Sequence, residues 1–255
     1  MHREALFDSL RAALLAQDAE RVRALAHDNH PADLAEALRD LDPDTATRTL
    51  AALPADMRAE LFGYLAPEQQ LDLAERLDRS RLAELFLHMS ADERADLYNA
   101  LDEDRRELLM PGLAQAERED IRKLASYPEG AAGSVMTSDY AVIPAGASAA
   151  QAIERLRAEA PDKETIYDAY LVDGERRLVG VVSLRDLILA PPATPVTRIM
   201  KRDVVTIRAD DPREQAARVV RDYDLLAVPV INGGDKLVGI VTYDDAMDVA
   251  EAEAT

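Results

Sequence analysis

Apolar residues in the first half of the chain recur every 12 residues. Leu41, Leu53, Leu65, Leu77, Met89, Leu101 and Leu113 form one series, and Leu61, Leu73, Leu85, Leu97 and Leu109 form a second series at the same interval. Turn or capping residues follow most members of the first series, as at Asp42-Pro43, Pro54 and Asp102. Since Pro and Asp at such positions are helix start signals, each unit is predicted to be one helix of about three turns and a tight corner.

Helices of this length are not stable alone in water, so each must bury its Leu face against its neighbours. The pattern therefore predicts an all-helical, superhelical domain, a small solenoid of short helices. It is compatible with either hand of the coil, and with either a surface for a partner or a self-contained helical domain. Before the repeat, an amphipathic helix is predicted over about Glu4–Asp28, with a break near Asp18.

A different repeat fills the second half of the chain. Leu178–Asp186 and Leu237–Asp245 each consist of a short apolar strand with an internal Gly, followed by Ser/Thr-x-x-Asp at the start of a helix. The two glycines, Gly180 and Gly239, are 59 residues apart. Repetition at a fixed long interval indicates duplication of a supersecondary unit.

Around these two stretches the second half aligns with itself as two β-α-β-β-α units. The predicted pairs are strands 141–143 and 205–207, helices from Ser148 to about Ala160 and from Asp211-Pro212 to about Tyr223, and strands 169–172 and 227–231. Asp173-Gly174 and Asn232–Asp235 are predicted to be hairpin turns with the residues at positive φ that such turns need. Copy one is five residues longer, and the excess falls around Ala158–Thr165.

Composition restricts the classes of function. The formal net charge of −19 disfavours nucleic acid and anionic lipid as partners. The chain has no Cys, which excludes disulfides and thiolate metal sites. No apolar run approaches the ~20 residues of a membrane span, and no signal peptide opens the chain, so we expect a soluble, cytoplasmic protein as given.

Carboxylates accumulate at the end of the sequence, with no Lys or Arg after Lys236. They are Asp244, Asp245, Asp248, Glu251 and Glu253. A helix C-terminus prefers cations, and two such charges ~6 Å apart repel by about 3 kcal/mol at an effective dielectric near 20. A divalent cation would reverse the sign of this interaction, and Mg²⁺ suits because it keeps most of its waters. For any single Asp, a solvated surface position is a sufficient explanation.

The tandem unit resembles the CBS domain pair, on its paired segments Val135-Met136-Thr137 and Ile199-Met200-Lys201, its hairpins and both Gly-x-x-Ser/Thr-x-x-Asp signatures. With the acidic helical half before it, the chain resembles the cytosolic part of the MgtE-type magnesium transporters. The matching stretches are 161–167, 183–188, 222–224 and 244–255. The resemblance implies a helical N-domain over 1–130 and CBS domains over 134–190 and 196–253.

The resemblance also implies a mechanism. Members of this family are homodimers through their CBS domains, and their N and CBS domains close around several Mg²⁺ ions to shut the pore. Carried onto this chain, the implied ligands are Glu60, Asp92, Asp96, Glu214, Asp224, Asp245, Asp248 and Glu253. Asp92 and Asp96 share one helix face. Pro212 stands where a further acid is expected, so Asp210 or Asp211 could substitute in the site that includes Glu214. The chain would then be a fragment on the cytoplasmic side of the cell membrane, with its membrane transport domain absent.

A nucleotide is the alternative ligand, because CBS pairs often bind adenosine nucleotides such as ATP. The implied residues are Ser183, Arg185, Asp186 and Thr242. A capping box at a helix start explains the two Ser/Thr-x-x-Asp motifs equally well. No arrangement of catalytic residues stands out, so we expect no enzyme. A third class, a scaffold that binds a protein and ignores Mg²⁺, also remains open.

Overall fold

The computed structural model describes residues 3–16, 18–39 and 41–254. Met1, where the predicted N-domain begins, lies outside these residues. Contacts divide the chain into two units. The first holds the described residues up to Met89 together with Glu93–Ile121, and the second holds Ser90–Asp92 and the described residues from Arg122 onward.

Ten α-helices precede the first strand in the described part of the chain. They are α1 (Arg3–Leu15), α2 (Ala19–Asp28), α3 (Pro31–Arg39), α4 (Pro43–Ala52), α5 (Ala55–Gly63), α6 (Pro67–Arg76), α7 (Arg79–His88), α8 (Ala91–Ala100), α9 (Glu103–Leu109) and α10 (Gln115–Leu124), with a 3₁₀ turn at Met110–Gly112. The helices α2 to α10 begin at regular 12-residue intervals, so the repeat starts two units earlier than the Leu series indicated. The break near Asp18 is present, since its side chain accepts a hydrogen bond from the Arg21 amide and caps α2.

Both apolar series lie in the core of the helical unit. Every member of the two series is buried except Leu41, which is partly buried against the same core. Alternate helices pack on each other: α1 on α3, α3 on α5, α5 on α7 and α7 on α9, with α2 on α4 and α4 on α6. These short helices therefore gain stability from the helix two places along, as expected for a solenoid.

A polar repeat accompanies the apolar one and was not predicted. Arg58, Gln70, Arg106 and Arg118 each stand fourth in their helices and donate to the carbonyl eight residues earlier. Arg58 is the most complete case, since its Nε bonds to the Leu50 carbonyl and its Nη2 to the Leu53 carbonyl, both at 2.9 Å. The last carbonyls of a helix have no partner within that helix. These side chains satisfy them and so fix the corner between consecutive helices.

The second unit contains two three-stranded sheets of the same topology. The strands are β1 (Tyr140–Pro144), β2 (Thr165–Val172), β3 (Leu178–Ser183), β4 (Ile207–Arg208), β5 (Ala227–Ile231) and β6 (Leu237–Thr242), and the helices are α11 (Ala149–Glu159), α12 (Leu184–Leu189), α13 (Arg213–Asp222) and α14 (Tyr243–Ala254). The sheet orders are β1-β2-β3 and β4-β5-β6. In each sheet the first pair is parallel and the second antiparallel. The predicted β-α-β-β-α repeat is confirmed.

The structure differs from two predicted strand boundaries and from one predicted turn. The strand predicted at 205–207 begins only at Ile207, and the strand predicted at 169–172 begins at Thr165, because Thr165 pairs with Tyr140 ahead of an irregularity in β1. Positive φ falls on Asp235 (58°), inside the second predicted turn, and on Arg176 (65°), which lies after the predicted pair Asp173-Gly174. The physical reason lies in the turn, where the Asp173 carboxylate accepts from two following amides and the left-handed position comes three residues later.

The two signature glycines serve a close approach between the copies. Met136 of copy one lies over Gly239 of copy two, where a Cβ atom would come 2.5 Å from the Met sulfur. Met200 of copy two lies over Gly180 in the same way, at 2.7 Å. Short bridges join Thr137 to Ile240 and Lys201 to Val181. Each copy's leading segment thus packs on the signature strand of the other copy.

Candidate functional sites

An acidic cluster lies at the second Ser/Thr-x-x-Asp signature, which begins at Thr242. One carboxylate oxygen from each of Glu164, Asp244 and Asp245 lies within 4.8 Å of the others. Glu164 immediately precedes β2, in the segment where copy one is longer, and its amide donates to the Asp139 carbonyl at 3.0 Å. Asp244 and Asp245 occupy the first turn of α14. Three carboxylates at this spacing form a potential site for a hard divalent cation.

The environment of the cluster penalises its negative charges. Burial raises the pKa of Glu164 and that of Asp245 above the usual carboxyl range, and neighbouring carboxylates raise both further. Hydrogen bonds from Thr137 to Glu164 and from Thr242 to Asp245 oppose this rise. Thr242 Oγ1 donates to Asp245 Oδ2 at 2.5 Å. A bound cation would relieve the repulsion that these pKa shifts reflect.

Most of the implied metal ligands lie outside the cluster. Of the eight, Asp245 alone belongs to the group of three that is found among the described residues. Asp248 lies further along α14, where burial and then Glu251 and Asp244 raise its pKa. Glu253 is exposed near the end of the same helix. Glu60 lies on α5, and Asp92 and Asp96 lie on α8, with Asp92 buried and Asp96 exposed.

The positions around α13 are partly neutralised. Glu214 lies in the first turn of α13, with its Oε1 3.7 Å from Arg213 Nε. Asp224 follows the helix in the left-handed region, with φ 53°. Asp211 accepts from the Arg208 amide at 2.8 Å, and Asp210 pairs with the Arg208 side chain at 3.6 Å. Both proposed substitutes for the acid missing at Pro212 are thus already engaged.

Sequence reasoning missed Glu164 and Asp244 as members of the cluster. Asp244 carried a usable signal, since it stands beside Asp245 in a run of carboxylates. Glu164 carried a weaker one, since it lies in the extra residues of copy one. The sequence pattern did not indicate that Glu164 and Asp244 lie close together, because their proximity depends on the path of the segment before β2.

A cleft of about 580 Å³ opens at the first signature. It is lined by Tyr167, Asp168, Ser183, Leu184, Arg185, Ile188, Leu189 and Leu226. Ser183 caps α12, accepting from the Asp186 amide at 3.1 Å and donating to Asp186 Oδ2 at 2.7 Å. Ser183 is therefore an N-cap, as one half of the predicted capping box requires, but its hydroxyl donates to the Asp186 side chain and its hydrogen is already used. Thr242, the fourth implied nucleotide contact, bonds instead to Asp245 of the acidic cluster.

Comparison with known proteins places this fold. The model of the MgtE intracellular N domain matches residues 29–130, and the CBS domain model matches 132–192 and 196–252. A solved structure described as the soluble part of a magnesium transporter is 32% identical, with a TM-score of 0.92 and full coverage of both chains. The chain belongs to the MgtE family.

Other MgtE relatives agree with this assignment. The cytosolic domain of the Mg²⁺ channel MgtE in complex with ATP is 38% identical, with a TM-score of 0.89, and the match covers 95% of this chain and 99% of that one. The magnesium transporter MgtE of Thermus thermophilus is 39% identical over 99% of this chain and 57% of its own length. That of Bacillus subtilis is 32% identical over 96% and 55%.

These matches define what the chain contains. It carries an MgtE N domain and a tandem CBS pair, and it spans a little over half the length of the two curated relatives above. Among the residues that the structure describes, no helix is both long and apolar enough to cross a membrane.

Proposed function

We propose that this chain is the cytosolic Mg²⁺-sensing region of a magnesium transporter and that it gates a membrane transport domain. The observation that carries the proposal is the acidic cluster, Glu164, Asp244 and Asp245, whose ligand atoms lie within 4.8 Å of one another. Carboxylates brought this close repel one another unless they take up protons or a cation. A weak, largely hydrated Mg²⁺ site fits such a position.

The proposed mechanism is charge neutralisation. At low Mg²⁺ the acidic faces of the N-domain and the CBS pair repel and separate, and at high Mg²⁺ bound ions offset the repulsion and the two close. The proposed ligands are those implied by the family together with Glu164 and Asp244: Glu60, Asp92 and Asp96 from the N-domain, and Glu214, Asp224, Asp245, Asp248 and Glu253 from the CBS pair. Those distant from the cluster would form further sites.

The assembly belongs to the same proposal. The domains extend over 1–130, 134–190 and 196–253, and two copies pair through their CBS domains on the cytoplasmic side of the cell membrane. Transport is assigned to a membrane domain beyond this chain, and no catalysis is assigned to the chain itself. Support for these statements comes from family membership.

Small-angle scattering with added MgCl₂, at fixed ionic strength, tests the switch. We expect the radius of gyration to fall with MgCl₂ and not with NaCl. The variant carrying Glu164→Gln, Asp244→Asn and Asp245→Asn should lose most of this response. A charge-matched control carrying Glu68→Gln, Glu75→Gln and Asp203→Asn, all exposed positions, should keep it. An equal response from both variants would exclude the cluster as the sensor.

A second candidate function is binding of an adenosine nucleotide in the cleft at the first signature. Two observations favour it: the cleft itself, about 580 Å³ with Arg185 on its lining, and the 38% identical relative solved in complex with ATP. Isothermal titration with ATP in magnesium-free buffer tests it. Saturable heat that disappears when Ile188→Trp fills the cleft would support this function, and no heat from the wild-type chain would exclude it.

A further inference from the structure

The cleft contains a carboxylate that the nucleotide contacts implied by the family do not include. Asp168 lies on β2, directly across the strand pair from Ser183, and it lines the cleft. Its side chain is half-buried, and within residues 3–16, 18–39 and 41–254 no hydrogen bond or ion pair engages it. Both of its oxygens therefore keep their capacity to accept hydrogen bonds.

The groups around Asp168 leave its carboxylate without a hydrogen-bond donor. Burial raises the pKa of Asp168, Lys201 lowers it and Asp186 raises it. Its cross-strand partner cannot supply a proton, because the Ser183 hydroxyl already donates to Asp186. A carboxylate in this position gains from an N–H or O–H group of a ligand and repels phosphate.

The other residues that line the cleft indicate how a nucleotide would be oriented in it. Arg185 is the cation on the lining, is exposed, and forms no ion pair within the described part of the chain, so it suits a phosphate. Five apolar or aromatic side chains provide surface for a flat base: Tyr167, Leu184, Ile188, Leu189 and Leu226. A nucleotide with its phosphates at Arg185 therefore presents its uncharged, donor-bearing part to Asp168.

We propose that Asp168 is a specificity-determining residue that accepts a hydrogen bond from the exocyclic amine of a 6-aminopurine. This inference rests on the second proposed function, nucleotide binding in the cleft. A 6-oxopurine held in the same position would bring its own acceptor, O6, against the carboxylate, so repulsion between two oxygens would replace the hydrogen bond from the amine. The cleft therefore prefers ATP to ITP by roughly 10- to 100-fold, the range expected for one unsatisfied buried group.

Isothermal titration of the full chain in magnesium-free buffer, with ATP, ITP and 2′-deoxy-ATP, tests this assignment. The wild-type chain should bind ATP roughly 10- to 100-fold more tightly than ITP. Asp168→Asn, whose amide can turn its NH₂ toward a 6-oxo group, should reduce this preference to less than about threefold, chiefly by tighter ITP binding. The control Asp203→Asn, an exposed position, should keep the wild-type preference.

Three results would overturn the assignment. An unchanged ATP to ITP ratio in Asp168→Asn would remove Asp168 from base selection while leaving nucleotide binding intact. A wild-type chain that discriminates against 2′-deoxy-ATP, with that discrimination lost in Asp168→Asn, would assign the carboxylate to the ribose instead. A wild-type chain that binds none of the three nucleotides would reject the second proposed function itself. Thermal melts of each variant show whether a loss of binding comes from a loss of folding.

Discussion

The two CBS copies share one motif and surround it differently. Ser183 donates to Asp186 at 2.7 Å, and Thr242 donates to Asp245 at 2.5 Å. Around Ser183 lies a largely apolar cleft, whereas around Thr242 lies a group of carboxylates. The motif therefore forms the same side-chain bond at the start of a helix in both copies, and the chemistry of each site is decided by its neighbours.

The 59-residue offset identifies the substitution that separates the two sites. Arg185, on the lining of the cleft, corresponds to Asp244, a member of the acidic cluster. One position with opposite charge thus gives one copy a group for anions and the other a group for cations. The copies also exchange residues, since Glu164 of copy one completes the cluster at copy two and Leu226 of copy two lines the cleft at copy one.

Reversing the charge at Asp244 should have the largest effect on this difference. Asp244→Arg places a cation beside Glu164 and Asp245, so it replaces the bound ion and repels any other. We expect Mg²⁺ affinity at the cluster to fall by at least about 100-fold, equivalent to roughly 3 kcal/mol. Isothermal titration with MgCl₂ measures it. The exposed control Asp203→Arg makes the same charge change and should leave the affinity within about twofold.

The converse substitution, Arg185→Asp, should make the cleft acidic and so weaken its binding of ATP. It removes a charge-assisted contact to phosphate and adds a third carboxylate near Asp168 and Asp186. We expect ATP affinity to fall by roughly 10- to 100-fold, since hydrogen bonds to charged groups are worth about 1.5–3 kcal/mol. Arg198→Asp makes the same charge change outside the cleft lining and should leave ATP binding nearly unchanged. Equal losses from the two variants would point to the overall charge of the chain instead of to the cleft.

The sequence predicted the repeating architecture well because the repeats bury apolar residues at fixed intervals. The 12-residue series located the helices, and the paired signatures located both sheets. The corner contacts of Arg58 and Gln70 escaped notice because one position holds either Arg or Gln. Their carbonyl partners also become apparent only once the helix ends are known.

The sites were less predictable for a physical reason. Asp245 was foreseen from its motif and its run of acids, whereas Glu164 joins it only through the course of a non-repeating segment. Asp168 looked like an ordinary polar residue of a strand, and its role depends on which side of β2 faces the cleft. Local patterns therefore predict single ligands, and the grouping of ligands distant in sequence required the fold.

Adding a methyl group at the signature glycines tests how the copies hold each other. In Gly239→Ala the new Cβ would lie 2.5 Å from the sulfur of Met136, which is fully buried. We expect the free energy of unfolding to fall by about 1–3 kcal/mol, the usual cost of overpacking. Gly180→Ala should cost a similar amount, because its new Cβ would lie 2.9 Å from the backbone carbonyl oxygen of Lys201, which cannot move aside as the partly buried Met200 can.

Urea unfolding measures the free energy of unfolding of Gly239→Ala and Gly180→Ala, with Gly174→Ala as the matched control. That glycine has no atom of another residue near its added Cβ and does not have positive φ. The change there should leave stability unchanged or raise it slightly. Equal stability of Gly239→Ala and Gly174→Ala would show that the Met segments do not hold the copies together.

A pH dependence of Mg²⁺ binding is expected at the acidic cluster. The pKa values of Glu164 and Asp245 lie above the usual carboxyl range, chiefly because of burial, so protons compete with Mg²⁺ at the cluster. Without Mg²⁺, the contribution of these groups to stability is complete below the ordinary carboxyl pKa of about 4. That contribution is lost as pH rises through the raised pKa values. Mg²⁺ affinity should change in the opposite direction, rising with pH by at most about tenfold per unit for each displaced proton.

Titration with MgCl₂ at pH 6, 7 and 8, in two buffers of different ionisation enthalpy, should show proton release that disappears in Glu164→Gln with Asp245→Asn. An affinity that does not change with pH would mean that Mg²⁺ binds without displacing protons, away from Glu164 and Asp245.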